Sequence, residues 1–193
     1  MPAETTGSTS QPADAAKRLE QALGLPPGEH VDAASAYELA AMLAELAASL
    51  DQVVWSTWKI VSPSSPLKRS APAKVVMAKF ASGDPGVTRE QLRQDLDRLR
   101  QLTAALTASV GQAGRVYAQK HLDKLAPQEV EKLAKLSAGA GGVLVGHEVR
   151  CWRKYVELAG AQDAQAIERE LLGAMSGYAE SLLKGLSKEG PTK

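Results

Sequence analysis

The chain is short of the residues that make disulfides, sheets and global charge, and each shortage excludes something. One cysteine, Cys151, stands in 193 residues, which rules out an intrachain disulfide framework and fits a reducing cytoplasm. Aromatics make up 4% with one phenylalanine, Phe80, and alanine and leucine abound. That balance favours helices packed through small residues over sheets of β-branched and aromatic side chains. Net charge is nearly absent, 23 Lys and Arg against 22 Asp and Glu. Nucleic-acid and membrane-surface binders carry a global basic excess, so neither partner is expected. No apolar run approaches the ~20 residues a membrane helix takes, which predicts no membrane insertion. Residues 1–8 hold neither a basic stretch nor an apolar one, so no secretory signal is expected and the predicted location is cytoplasmic.

One absence is local. Residues 52–83 contain no Asp or Glu, yet carry Trp55, Trp58, Lys59, Lys68, Arg69, Lys74 and Lys79. Outside them 18 basic residues face 22 acidic ones, so the chain is dipolar, which suits oriented association with another protein.

What is present is helical periodicity. Residues 1–12 lack it and predict a disordered lead-in, as do residues 188–193 at the other end. A short helix over 14–23 stops at Gly24 and the Pro26-Pro27 pair. Asp32 or Ser35 can cap a long helix striped by Leu39, Leu43, Leu46, Leu50, Val54, Trp58 and Val61, read as one apolar face. Ser62-Pro63 ends it. A proline-rich loop leads to a helix over 73–80 with Val76 and Phe80 inward, and Asp84-Pro85-Gly86 makes a turn. Thr88 and Gln91 form a capping box for a second long helix striped by Leu92, Leu96, Leu99, Leu102, Leu106, Val110 and Tyr117. Pro127 opens a helix with Val130, Leu133 and Leu136 inward, up to a glycine joint at 139–142. Val145, Val149, Trp152 and Val156 mark the next, closing at Gly160. Asp163 caps the last, striped by Ile167, Leu171, Met175, Tyr178, Leu182 and Leu186, with Gly173 and Gly177 placed for close helix packing. The fold expected is all-α, a compact bundle of about six to seven helices built around two long ones, as a single domain over 13–187.

Chemistry-bearing patterns are few. His147 and Cys151 share a helix face, but a catalytic zinc takes three protein ligands and a structural one four, so with His30 and His121 unplaced no metal is expected. In that reading Cys151 is a small buried residue and His147 a surface side chain. The glycine run over 139–146 matches no phosphate-binding fingerprint, and no nucleophile context is recognisable, so neither cofactor nor enzymatic activity is expected. Arg89, Arg93, Arg98 and Arg100 alternate with Glu90, Asp95 and Asp97 as a solvated face. The candidate site is therefore the acid-free segment. Trp55, Lys59, Lys68, Arg69 and Lys74 would form a patch on a proline-constrained loop, docking an acidic protein partner. The bland reading of the same residues is a solvated loop.

Leu23-Gly24-Leu25, the leucine and alanine helix ending in Trp58-Lys59, Ser65-Pro66-Leu67-Lys68, the helix over 98–106, Leu125-Ala126-Pro127 before Val130-Glu131, and Cys151-Trp152-Arg153-Lys154-Tyr155 occur in that order. The series resembles the C-terminal helical domain of forkhead-associated (FHA) accessory proteins of bacterial type VI secretion, over roughly 17–185. Ser64-Ser65 replaces the paired asparagines of that family's loop. The β-sandwich that reads phosphothreonine there has no counterpart, so that recognition does not carry over. The resemblance implies a non-enzymatic accessory, assembly or regulatory component acting through protein contacts. The alternative is a helical regulator that binds nucleic acid or a small hydrophobic ligand.

Overall fold

The computed structural model describes residues 10–137 and 146–188, with side chains over 14–137 and 146–185. Among the described residues every regular element is a helix: α1 (Ser10–Leu23), α2 (Ala33–Val61), α3 (Ala73–Ala81), α4 (Arg89–Leu125), α5 (Pro127–Leu136), α6 (His147–Gly160) and α7 (Ala164–Lys188). The fold is all-α, as expected. Residues 1–9 and 189–193, the anticipated joint at 139–142, Val145 and the Leu186 side chain lie outside the described residues. At both ends helix reaches further than the composition implied. Pro12 falls in the first turn of α1, where its missing N–H costs nothing, and α7 runs to Lys188.

The boundaries follow local chemistry. Asp32 accepts from the Ser35 backbone N–H at 2.9 Å and from its hydroxyl at 3.0 Å, and those bonds, the backbone one first, hold its carboxyl below the ordinary value. Thr88 accepts from the Gln91 N–H at 3.1 Å, and Asp163 accepts from that of Ala166 at 2.7 Å. Gly24, at φ +67°, closes α1 in the left-handed conformation that glycine adopts freely.

Contacts group the chain into two units, Met1–Ser49 and Leu50–Lys193, dividing within α2. In the first, Glu20 of α1 accepts from the Val31 N–H at 3.3 Å and pairs with His30 Nδ1 at 3.2 Å. None of its described residues is fully buried.

The second unit holds the core. Val54, Trp55, Trp58 and Val61 of α2 pack with Leu99, Leu102, Ala105 and Leu106 of α4 and Ala179 of α7, flanked by half-buried Leu67, Leu172, Met175 and Leu182. Burying each large apolar side chain stabilises by about 1.5–3 kcal/mol. α4 packs against α7, α3, α5 and α6, and α5 against α6. Ser62, just past α2, donates to Glu180 at 2.9 Å and accepts from Ser176 at 2.9 Å, tying the end of α2 to α7.

Several residues expected inside are exposed: Phe80, Leu96, Val110, Leu136, Val149, Trp152 and Val156. The close-contact positions of α4 go to Ala105, Ser109 and Ala113, because small side chains let a neighbouring helix approach and the large residues beside them are left outside. A Cβ at Gly173 or Gly177 would meet nothing within 4 Å, so neither serves the close packing expected of it. α2 is also long and apolar enough, by length and composition, to cross a membrane. The expectation of no such segment counted only uninterrupted apolar runs and overlooked a helix broken by single charges.

Candidate functional site

The single apolar stripe expected on α2 is two faces. Val54, Trp55, Trp58 and Val61 point into the core. Leu39, Leu43, Leu46, Leu50, Val53 and Ile60 fall instead on an adjacent face, in the alternating four- and three-residue steps of a coiled-coil seam, with Thr57 completing the series. In the first unit, Leu43 is 52% and Leu46 64% exposed; in the second, Val53 is 57% and Ile60 66% exposed, with Leu50 also exposed. The positions flanking the seam are mostly Ala and Ser, and Glu38, Glu45, Gln52 and Lys59 sit one step further round. Scattered exposed leucines need no explanation, but exposed apolar residues that recur at heptad spacing within each unit do. Spacing carried the signal: the 4-3 alternation continues through Val53 and Ile60, whereas the expected stripe changed face after Leu50.

The basic patch is not brought together as expected. Trp55 is 7% exposed and belongs to the core, so it is not available as a surface anchor. Arg69 is not a free cation: its guanidinium pairs with Asp51, which is 4% exposed and also accepts from the Ala73 N–H at 2.9 Å, the first residue of α3. Asp51, Trp55, Arg69, Asp95 and Arg98 line one narrow crevice. Lys79 meets Asp84 at 4.0 Å. Both acids lie just outside residues 52–83, so the absence of acid within the segment overstated its uncompensated charge. Lys59, Lys68 and Lys74 are exposed and form no ion pair with a described residue.

Two grooves flank the core elements of the second unit. One, of about 580 Å³, is lined by Trp58, Pro66, Leu67, Glu180, Leu183 and Lys184; the indole N–H of Trp58 is buried without a hydrogen-bond partner. The other lies along α5 and α6, where Cys151 is half-buried and His147 exposed. His30 and His121 stand apart, the latter 2.8 Å from Gln162, and no group of three or more His, Cys, Asp or Glu set to hold a metal occurs among the described residues. Comparison of the chain with protein-family models, with curated proteins and with solved structures yields no match.

Proposed function

We propose that the chain is a protein-interaction module, an accessory or assembly component of a bacterial type VI secretion apparatus, and that it engages its partner through the exposed seam of α2. The observation that carries the interaction reading is the seam itself. Large apolar side chains are exposed along it in each unit, Leu43 and Leu46 in the first and Leu50, Val53 and Ile60 in the second, and exposed apolar residues grouped on one face mark interaction sites. The secretion reading rests on the resemblance of the motif series. Lys59, Lys68 and Lys74 add a basic flank that favours an acidic partner.

The test is capture of secretion-apparatus subunits from a cell that makes them, read by mass spectrometry. Wild-type protein retains defined subunits and a Leu43→Glu/Leu46→Glu variant loses them at unchanged helix content. Each charge placed in a packed seam costs several kcal/mol of binding, a loss of about a hundredfold or more. Capture unaffected by the two glutamates removes the seam from the interface. Capture of unrelated proteins only removes the secretion reading.

The cations are tested separately. Lys59→Glu/Lys68→Glu/Lys74→Glu is expected to leave the melting curve within about 0.5 kcal/mol of wild type, because the side chains are exposed. Partner association slows, and most at low salt, where the attraction is least screened. Identical association at low and high salt for both proteins returns these lysines to a solvated surface.

A further inference from the structure

α5 and α6 face each other, and three side chains from them form a chain of contacts. The Cys151 sulfur lies 3.3 Å from His147 Nδ1, and His147 Nε2 lies 3.2 Å from Glu131 Oε1. Glu131 also meets Lys135 Nζ at 2.6 Å. The hydrogen bond from Lys135 first, then its charge, holds the Glu131 carboxyl below the ordinary value. An ionised carboxylate only accepts, so the ring proton sits on Nε2 and leaves Nδ1 free to accept from the thiol. Nucleophile, base and orienting carboxylate thus stand in the order that activates a cysteine. The group lines a groove of about 650 Å³ whose other walls are Leu125, Pro127, Val130, Glu148, Trp152 and Tyr155. The last two rings stack at 5.5 Å between centroids, and Trp152 is 64% exposed.

We propose that Cys151 is a modification site, a nucleophilic thiol that accepts an apolar acyl group from an acyl thioester, with His147 as its base and this groove as the seat of the acyl chain. The thiol passes its proton to His147 Nδ1 as the sulfur attacks the thioester carbonyl. A new C–S bond forms to Cys151, the old one breaks, and the proton moves from His147 to the departing thiolate. One thioester replaces another, so neither oxidant nor reductant takes part. The groove selects the donor. The groove is open and its walls are mainly apolar, so a long hydrocarbon chain laid along it buries surface against Leu125, Val130 and Trp152 and a two-carbon acyl group does not. Glu131 is a positioning residue, fixing the ring that the thiol needs. The proposal is independent of the α2 seam, since it concerns different helices.

The experiment incubates the full chain with palmitoyl coenzyme A, below its micelle-forming concentration, and separately with acetyl coenzyme A, followed by intact mass and peptide mapping. Expected is one hydroxylamine-labile palmitoyl group on Cys151, none on Cys151→Ser, and transfer from the palmitoyl donor faster than from the acetyl donor. His147→Ala slows the transfer by about a hundredfold or more, the low end of what a positioned base contributes. Glu131→Ala slows it too and Glu131→Gln, which keeps an acceptor for the ring N–H, restores it. Trp152→Ala lowers the palmitoyl rate more than the acetyl rate, which narrows the preference between the two donors. All four side chains are at least part-exposed, so the variants keep the wild-type melting curve, which is checked in parallel. Equal rates for the two donors, labelling away from Cys151, or a wild-type rate in His147→Ala overturns the proposal.

Discussion

Trp58→Ala is expected to lower the unfolding free energy by about 3–5 kcal/mol, the range for truncating a buried aromatic. Trp58 is 2% exposed and sits where the end of α2 meets Leu99, Leu102 and Leu106 of α4 and Ala179 of α7. Removing it leaves a void lined by rigid helices, and a void between helices fixed at both ends by other contacts collapses poorly. Its indole N–H is buried without a partner, which carries its own cost. Trp58→Phe removes that unsatisfied donor and keeps one six-membered ring, so it leaves a smaller void and is expected to cost less than Trp58→Ala. Urea unfolding of both variants checks the pair. Trp152→Ala serves as control, because Trp152 is 64% exposed and its loss should move stability by less than about 0.5 kcal/mol. Equal losses for Ala and Phe at position 58 would mean that the indole nitrogen, rather than ring volume, holds the site.

Much of the fold was legible because caps and breakers are local. Thr88, Asp163, Asp32, Gly24 and Pro127 act within three or four residues of themselves, and each bounds a helix where its chemistry says it should. Which of two apolar faces is buried was not legible. Leu46 and Val54 are equally apolar and both lie on α2, but a helix shows its partner only in three dimensions. Trp55 was misplaced for the same reason: four residues before Lys59 in sequence, it lies one step round the helix from Val54, on the buried side. The thiol group shows a third limit. His147 and Cys151 are visible as a four-residue pair, while Glu131, which orients the imidazole, lies 16 residues earlier on another helix.

Asp51 shows the same limit with energetic consequences. It is one residue before the acid-free segment, and from sequence it reads as a surface charge on a long helix. In the structure it is buried at 4% exposure, pairs with Arg69, and accepts the Ala73 N–H at the start of α3. A buried carboxylate is tolerable only while its partners satisfy it, and removing one member leaves the other uncompensated. Asp51→Ala is therefore expected to cost about 3–5 kcal/mol, at the scale of breaking a buried pair, and to fray α3 by taking away the acceptor at its first N–H. Arg69→Ala should cost a comparable amount, because it leaves the buried Asp51 carboxylate with only the Ala73 N–H, whereas the guanidinium left by Asp51→Ala is 29% exposed and can regain water. The double variant decides whether the two act as one unit. If they do, its loss falls short of the sum of the single losses by about 0.5–3 kcal/mol, the coupling of residues in direct contact. Strictly additive losses, or a cost under about 1 kcal/mol for Asp51→Ala, would reduce the contact to an ordinary surface ion pair. The basic loop would then have to be held against α2 by Leu67 and its apolar neighbours alone.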